Sequence, residues 1–277
     1  MLRIERQAKI MQIVRHRGFV ENRELAKYFG VTLATIRSDI KTLGKQNLVR
    51  IDHGGSGMHD IPNITAEPSY ATKTFVARQT KQKIGEVACN FLQNGDTVVL
   101  DSGTTTGFIA HSLCATELRN ITVITCDIMI AKILGESHNI TTIVLGGQMR
   151  KSYYSTYGPY TEYVITNLQA DKLFLGIDAA NQTDISNIIL DEVPVKQQLI
   201  KISKEVVLVT HSAKFDRSAP HRVCGWESIH RVITDNQIPS RFKDIFDRYK
   251  IPVHLVDSTD TFLRHGEDTI SKDAGGK

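Results

Sequence analysis

The sequence predicts an α/β protein in two parts, a small helical N-terminal domain and a larger α/β domain with a mainly parallel sheet. Three observations carry this prediction. Apolar residues at helical spacing, interrupted by glycines, fill the first 45 positions. Positive charge is concentrated in the same segment. Beyond residue 72, short apolar runs alternate with segments of helical length, as in a sheet covered on both faces.

Length and composition exclude several classes of protein. The chain has 277 residues, 41% of them hydrophobic and 23% charged, which is enough to bury two cores. Nothing approaches the roughly 18 apolar residues of a membrane span, and the N-terminus lacks the apolar block of a signal peptide, so we expect a soluble cytoplasmic protein without a membrane partner. The four cysteines form no Cys-x-x-Cys pair. We therefore expect reduced, mostly buried thiols, with no metal site, disulfide framework or cofactor.

Charge is distributed unevenly along the chain. Residues 1–55 contain 11 Lys and Arg against 5 Asp and Glu, a net +6, and because the whole chain carries +4 the remainder carries −2. A basic block joined to a slightly acidic one favours an N-terminal part that meets a polyanion such as DNA. A solvated basic face would give the same count, so charge alone leaves both interpretations open.

The basic segment has the pattern of a helix-turn-helix. Apolar residues over 4–14 recur at helical spacing, and Gly18 ends that helix. Asn22 is the expected N-cap of a second, short helix, which Gly30 terminates in the left-handed conformation. Thr32 then caps a third helix. Its predicted inner stripe comprises Ile36, Ile40 and Leu43.

The outer face of the third helix has the composition that major-groove binding needs, with small side chains, hydrogen-bonding groups and cations. A strand over 48–51 and a turn over 52–55 would form a wing, which lays Arg50 and His53 against the phosphate backbone or minor groove. For each residue alone, a solvated helix face is the alternative. The predicted DNA-binding residues are Thr32, Leu33, Thr35, Arg37, Ser38, Lys41, Arg50 and His53.

The domain boundary is placed in a segment without periodicity. We predict a DNA-binding domain over 1–57, a linker over 58–72, an effector-sensing α/β domain over 73–260 and a polar tail over 261–277. The predicted strands of the larger domain lie at 97–100, 121–125, 141–145, 172–177, 205–210, 232–234 and 253–256.

The loop after the first of these strands is a candidate phosphate site. It contains a glycine, several hydroxyl groups and the start of a helix near Gly107, which together would make a nest of N–H donors. A helix start whose Ser and Thr residues act only locally is the alternative. The residues concerned are Asp101, Ser102, Gly103, Thr104, Thr105 and Thr106.

Other loops at the ends of strands add compatible groups, because ligands of parallel sheets bind beyond the carboxyl ends of the strands. Gly146 and Gly147 would allow close backbone approach, although a plain glycine turn fits equally well. The remaining charged candidates would otherwise be surface groups. They are Asp178, Glu192 and Lys196 around a helix entered at Pro194, and Lys214.

These motifs resemble the DeoR family of bacterial transcriptional regulators. The similarity rests on Phe29-Gly30-Val31-Thr32, Thr35-Ile36-Arg37-Ser38-Asp39-Ile40, Leu100-Asp101-Ser102-Gly103-Thr104-Thr105-Thr106, Phe174-Leu175-Gly176-Ile177-Asp178 and Ser212-Ala213-Lys214-Phe215. It covers roughly residues 3–256. The resemblance implies a winged helix-turn-helix and a sugar-phosphate sensor similar to the ribose-5-phosphate isomerase fold. It also implies that the 101–106 loop and Lys214 hold the phosphate, whereas Asp178, Glu192 and Lys196 face the sugar.

Some positions depart from the family pattern. Thr32 stands where Ser is usual, and Ser38 where a second Arg is common. Cys126-Asp127 replaces Asn-Ser, and His211 replaces a frequent Asp. The last two departures lie near the expected pocket, so the identity of the effector cannot be transferred from a relative.

The sequence thus predicts a transcriptional regulator, a repressor of a carbohydrate-metabolism operon, that binds double-stranded operator DNA as a dimer or tetramer under control of a phosphorylated sugar. It is not expected to be an enzyme. The alternative is a sugar-phosphate isomerase with a DNA-binding appendage, since Asp178, Glu192, Lys196 and Lys214 are of types that move protons. A DNA-binding architectural protein without a ligand is a third possibility.

Overall fold

The computed structural model describes residues 1–57 and 66–257. The elements of the N-terminal domain are α1 (Arg3–Arg17), β1 (Phe19–Glu21), α2 (Asn22–Phe29), α3 (Leu33–Lys45), β2 (Arg50–Asp52) and β3 (Gly55–Gly57). The predicted ends of the first two helices are confirmed, since α1 stops before Gly18 and α2 before Gly30. Gly30 has a φ of 62°, a left-handed conformation that glycine adopts without steric cost.

The caps of the two helices of the helix-turn-helix differ. Thr32 caps α3 as predicted, with its side-chain oxygen accepting the Thr35 N–H. The prediction that Asn22 caps α2 is wrong: Asn22 is the first helical residue and is buried, and Glu21 occupies the cap position without a side-chain hydrogen bond. The Asn22 N–H donates to the Gly54 carbonyl instead, which ties the start of α2 to the turn of the wing.

The wing is a three-stranded antiparallel sheet in the order β1-β3-β2. The strand predicted over 48–51 begins only at Arg50, because Leu48 and Val49 are buried in the core of the domain. That core is formed by α1, α2 and α3 and includes the predicted stripe of Ile36, Ile40 and Leu43.

A helix lies partly within the segment predicted as a linker. α4 (Tyr70–Phe75) is capped by Ser69 and packs against α1. Val76 and Ala77, which follow α4, are buried in the core of the N-terminal domain. Residues 70–77 therefore continue the first domain by packing, which local periodicity in so short a segment does not reveal. Most of the predicted linker, residues 58–65, lies outside the described residues, as does the predicted tail.

The second domain begins with α5 and contains most of the chain. Its elements are α5 (Arg78–Cys89), β4 (Thr97–Leu100), α6 (Thr104–Cys114), β5 (Ile121–Thr125), α7 (Ile128–Leu134), β6 (Ile140–Val144), β7 (Gln148–Met149), β8 (Thr156–Tyr157), α8 (Pro159–Ile165), β9 (Ala170–Leu175), β10 (Ala179–Ala180), β11 (Asp184–Asn187), α9 (Val193–Ile202), β12 (Ser203–Val209), β13 (His221–Gly225), β14 (Arg231–Asp235), α10 (Phe242–Tyr249) and β15 (Val253–Val256). Short 3-10 helices lie at Leu190–Glu192, Ser212–Lys214 and Trp226–Ser228.

The seven predicted strands form one parallel sheet in the order β15-β14-β12-β9-β4-β5-β6. Adjacent residues of one strand enter different cores: Leu173 and Leu175 pack on one face of the sheet and Phe174 on the other. Both faces are thus covered, which explains why the strands are apolar throughout. Predicted and observed strand ends differ by at most two residues. α6 begins at Thr104 rather than near Gly107, so the three threonines form its first turn.

Candidate functional site

The outer face of α3 is the candidate DNA-contacting surface. Arg37, Ser38 and Lys41 are exposed, as is Thr32 at the cap, whereas Ile36 and Ile40 on the opposite side are buried. Leu33 and Thr35 are partly buried at the start of the helix. The structure therefore presents the six predicted residues of the helix and its cap along one accessible side and end of α3.

A buried cluster that the sequence analysis missed fixes α3 against α1. Asp39, on the inner side of α3, is 1% exposed and accepts hydrogen bonds from Arg3 Nε (3.1 Å), Arg6 Nε (2.7 Å) and Gln7 Nε2 (3.0 Å). A buried carboxylate needs such donors to offset its desolvation. A charged residue between Ile36 and Ile40 is the sequence signal that identifies it. The cluster sets the angle at which α3 is presented.

The wing carries the two other predicted DNA contacts. Arg50 lies on β2, is exposed, and its Nε contacts Asp52 Oδ2 at 3.0 Å. His53 is exposed in the turn between β2 and β3. Because Asp52 already offsets part of the Arg50 charge, the exposed cations of α3 are the stronger attractors for a polyanion.

A cavity of about 530 Å³ lies between the N-terminal and second domains. Nine of the twelve predicted effector-binding residues line it: Ser102, Gly103, Thr104, Thr105, Thr106, Asp178, Glu192, Lys196 and Lys214. Its lining includes seven Lys and Arg against four Asp and Glu, so the cavity carries excess positive charge. This excess of positive charge favours an anionic ligand.

The start of α6 forms one wall of the cavity. Gly103 has a φ of 147°, donates its N–H to Asp127 Oδ2 (3.1 Å), and is followed directly by the first turn of the helix. First-turn N–H groups have no partner within their helix and add a partial positive charge. Lys81, from α5, donates to Thr104 Oγ1 at 2.8 Å and brings a buried cation to this wall. Lys81 was missed because nothing in its helical pattern separates it from a surface lysine.

Three predicted effector-binding residues lie outside the lining. Asp101 is buried behind the loop, where it accepts hydrogen bonds from Lys196 Nζ and the Gly176 N–H. Gly147 approaches Thr161, such that a Cβ at this glycine would overlap the Thr161 hydroxyl. The Thr161 hydroxyl donates to the Gly146 carbonyl at 2.7 Å. Gly147 thus packs closely against α8, and Gly146 is joined to α8 by this hydrogen bond.

The lysines of the cavity differ in their environments. Burial opposes the charge of Lys196, but Asp101 and Glu192 outweigh it and raise the pKa of the amine. Burial lowers the pKa of Lys214 to about 8, with repulsion from Lys73 and Arg15 adding to it and Asp178, at 3.5 Å, opposing it. Of these two lysines, Lys214 is the one whose charge an added anion would stabilise more.

The carboxylates of the cavity are held by partners of their own. Burial opposes ionisation of Asp178, yet Lys214 and Lys73 lower its pKa to about 2. Glu192 accepts from the Ser155 hydroxyl (2.6 Å) and from Asn187 Nδ2 (3.0 Å). These carboxylates are ionised and fixed, which suits them to accept hydrogen bonds from ligand hydroxyls.

The last residues before α4 close one side of the cavity. Glu67 is nearly buried and pairs with Lys73 (2.6 Å) and with Arg150. The Arg150 guanidinium lies 3.8 Å from the centre of the Tyr153 ring and also contacts Glu192 at 3.2 Å. Glu67 falls in the segment predicted as a linker. No local pattern marks it, because its partners other than Lys73 are more than 80 residues away.

Asp127 and His211, which depart from the family pattern near the expected pocket, have different surroundings. Asp127 is buried and caps α7, its Oδ1 accepting from the N–H groups of Met129 and Ile130. Burial raises its pKa to about 6, although the backbone donors oppose the shift. His211 lines the cavity, and burial together with Lys81 and Lys214 lowers its pKa well below the usual value. Asp127 therefore supports the loop, whereas His211 faces the cavity as a neutral ring.

Within residues 1–57 and 66–257, no helix is long and apolar enough to cross a membrane. Over the same ranges, His, Cys, Asp and Glu side chains form no group suited to hold a metal ion. Cys89, Cys126 and Cys224 are buried free thiols, and Cys114 is an exposed one.

Comparison with protein families matches both domains. Residues 6–61 match the DeoR-like helix-turn-helix domain, and residues 76–236 match the DeoR C terminal sensor domain. The second match begins where α4 ends, in agreement with the packing of α4 on the first domain.

Similar proteins match over nearly their whole length. The candidate aga operon transcriptional repressor of Escherichia coli O157:H7 is 31% identical over 91% of this chain and 93% of its own. The glycerol-3-phosphate regulon repressor of Escherichia coli K12 is 27% identical over 92% of this chain and 100% of its own. The transcriptional repressor AccR of Agrobacterium fabrum is 29% identical over 84% and 89%. These relatives are transcriptional repressors rather than enzymes, as the sequence predicts for this chain.

Among solved structures, ribose 5-phosphate isomerase A from Neisseria gonorrhoeae is similar to half of the chain, with 13% identity, 54% of its own chain covered and a TM-score of 0.38. A score this low carries no conclusion about function. The family matches are decisive, because the sensor-domain match alone spans more than half of the residues. The chain belongs to the DeoR family of transcriptional regulators.

Proposed function

We propose that this protein is a repressor of a carbohydrate-metabolism operon whose affinity for operator DNA is changed by a phosphorylated sugar bound in the cavity between its domains. The observation that carries the proposal is the cavity itself. It combines the first turn of α6, the amine of Lys214 and an excess of cations in one space next to the DNA-binding domain. The names of two relatives, repressors of the aga operon and of the glycerol-3-phosphate regulon, support this class of function.

On the DNA side, α3 enters the major groove and the wing lies along the backbone. Arg37 and Lys41 are exposed cations at the accessible side of α3 and would contact phosphates or guanine. Thr32, Thr35 and Ser38 offer small polar side chains that let the helix approach the bases, and Leu33 would make apolar contacts there. Arg50 and His53 would contact the backbone or minor groove from the wing. A single winged helix has a small interface, so we propose a dimer or tetramer that binds repeated half-sites in the cytoplasm.

On the effector side, the phosphate would be bound by Lys214 and by the N–H and hydroxyl groups of residues 102–106. Asp178, Glu192 and Lys196 would face the sugar. The ionised Asp178 and Glu192 can accept hydrogen bonds from sugar hydroxyls. A ligand with both features would use the whole cavity, whereas a free sugar would leave the cations uncompensated.

A thermal-shift screen tests the effector class. Phosphorylated sugars and their unphosphorylated counterparts are added to wild type and to Lys214→Ala. We expect one phosphorylated compound to raise the Tm, its free sugar to have no effect, and the shift to shrink in the variant. Stabilisation by free sugars alone, or by no compound in a broad panel, would contradict the phosphate-binding proposal.

A reporter assay and a measurement of mass in solution test the rest. Deletion of the gene should raise expression from the operator to which the protein binds, and the phosphorylated sugar from the screen should change binding to that operator. Light scattering of the purified protein should give the mass of a dimer or a tetramer of the 31.0 kDa chain. A monomer at the concentration that saturates operator DNA would contradict the proposed assembly.

A further inference from the structure

The cavity is completed by the DNA-binding domain. Apart from the segment around α4, five residues of the first domain line it: Met11, Gln12, Arg15, Asn47 and Leu48. Met11 and Arg15 lie one turn apart on α1, the helix that Asp39 fixes to α3. A side chain of α1 that binds the effector would therefore be connected to the DNA-contacting helix through one buried cluster.

Arg15 is the residue of α1 suited to this task. Its Nε atom is buried, and within the described residues it has no hydrogen-bond partner. Buried donors are normally paired, because leaving one unpaired costs free energy. An unpaired guanidinium nitrogen at the wall of a ligand cavity is accounted for if its partner is supplied by the ligand.

The surroundings of Arg15 add to its need for an anion. Arg217, on the opposite domain, lines the same cavity, and along the described chain no ion pair joins either guanidinium to a carboxylate. The nearby carboxylates are engaged elsewhere: Asp178 with Lys214 and Asp216 with Arg241. The two domains therefore face each other across this space with cations on both sides.

Keeping Arg15 charged in these surroundings has an electrostatic cost. Burial, followed by repulsion from Arg217, lowers its pKa to about 9. Arginine nevertheless remains protonated in proteins, so the shift measures the strain of an uncompensated charge and not the loss of a proton. Arg217 and Lys214 are lowered in pKa by burial as well. One anion between them would relieve all three.

We infer that Arg15 of the DNA-binding domain binds the phosphate group of the effector together with Lys214 and Arg217, so that the bound phosphate joins the two domains. This inference rests on the proposed function and adds to it the residue through which the effector acts on DNA binding. A guanidinium can donate two parallel hydrogen bonds to phosphate oxygens, which fixes orientation as well as distance. The effector then binds more tightly to the arrangement of domains in which Arg15 lies in the cavity, and it shifts the population towards that arrangement.

The test compares Arg15→Gln with Arg17→Gln. Both variants remove one charge from α1, but Arg17 is partly exposed, pairs with Glu24 and does not line the cavity. The full-length proteins are titrated calorimetrically with inorganic phosphate, glucose 6-phosphate and glycerol 3-phosphate, together with any phosphorylated compound that the screen above identifies. We expect Arg15→Gln to weaken phosphate binding roughly tenfold to a hundredfold, the loss typical of a charge-assisted hydrogen bond, and Arg17→Gln to behave as wild type.

A second measurement addresses the connection to DNA. Operator affinity is measured with and without the compound that binds best, at constant ionic strength. Arg15→Gln should bind operator as wild type does in the absence of the compound, and its affinity should not change at a concentration that saturates the variant. It should also fold, with an unchanged or raised Tm, because it removes an uncompensated buried cation. Arg15→Lys, which keeps the charge but not the fork of donors, should lie between wild type and Arg15→Gln.

The outcomes separate this inference from the proposed function. Equal phosphate affinity in Arg15→Gln and Arg17→Gln, with a loss in Lys214→Ala, would overturn the role of Arg15 and leave the phosphate pocket standing. Alternatively, the compound binds Arg15→Gln more weakly and yet, at saturation, changes the operator affinity of this variant as much as that of wild type. That result would overturn the connection through Arg15. If no phosphorylated compound binds wild type, both the proposed function and this inference are wrong.

Discussion

The outer face of α3 and the cavity between the domains are both rich in cations, but they hold them differently. Arg37 and Lys41 are exposed to solvent, whereas Lys196 is buried and paired with Asp101. Exposed charges attract a polyanion over a wide range of approach and are screened by salt. Buried charges are fixed before the ligand arrives and respond to pH and to the loss of a partner. The two surfaces should therefore fail in different ways when a cation is removed.

The largest expected effect is on stability and comes from breaking the buried Lys196–Asp101 pair. Lys196→Met should lower the free energy of unfolding by about 3–5 kcal/mol, because it leaves the carboxylate of Asp101 buried without its cation. Urea denaturation measures the change. The matched control is Lys204→Met, which removes the exposed partner of Asp171 and should have little effect. A loss no larger than that of the control would show that the cavity holds its charges no more tightly than the surface does.

The second effect is on DNA binding. Arg37→Ala should weaken operator binding by about 1–3 kcal/mol and reduce discrimination between operator and unrelated DNA, since an exposed side chain of α3 is lost. Gel-shift titration measures it, and an unchanged Tm shows that the fold is kept. Undiminished binding would contradict the assignment of α3 as the recognition helix.

A third effect separates the two surfaces by pH. The pKa of Lys214 is lowered to about 8, so the amine loses its charge as pH rises through that value. Only the charged amine attracts a phosphate, and affinity for the phosphorylated sugar should therefore fall above pH 8 by up to about tenfold per unit. Calorimetric titration from pH 7 to 9 measures the slope. Lys214→Arg, which stays protonated, should remove it; a slope that persists would assign the titration to another group.

The smallest expected effect is on the salt dependence of DNA binding and comes from a substitution in the wing. Arg50→Ala should lower the slope of log Kd against log salt for DNA by about 1 and weaken binding to all sequences about equally. Asp52 already contacts Arg50, so the change in affinity at one salt concentration should be modest. Filter binding at several salt concentrations measures the slope. A loss confined to the operator sequence would mean that Arg50 contacts bases.

The two regions also differ in how far the sequence predicts them. Thr32 caps α3, and Ile36, Ile40 and Leu43 are buried, because an N-cap and a helical stripe are local patterns. The seven sheet strands are predicted for the same reason, since each is a short apolar run that the sheet buries on both faces. Local pattern fails at Asn22, whose polar side chain is typical of a cap but lies inside the helix.

Long-range contacts account for what the sequence does not predict in the cavity. The loop over 102–106 and Lys214 lie at the ends of strands, a position that follows from topology alone. Arg15, Glu67 and Lys81 do not, because each reaches the cavity only once separate segments have packed together. Their residue types and spacing match ordinary surface positions. The sequence thus predicts two separate domains, whereas in the structure the first helix of the DNA-binding domain lines the cavity of the sensor domain.

The packing of α4 on α1 has a consequence for how the protein opens. α4 packs on α1, and Phe75 and Val76 pack in the first core, whereas α5 packs on α6 in the second. Between them Ala77 has a φ of 49°, an unusual conformation for a residue with a side chain. Local opening of the N-terminal domain should therefore release α4 but leave α5 closed. In hydrogen–deuterium exchange, the amides of α4 should exchange together with those of α1, and the step in protection along the chain should fall at Ala77 rather than at residue 57.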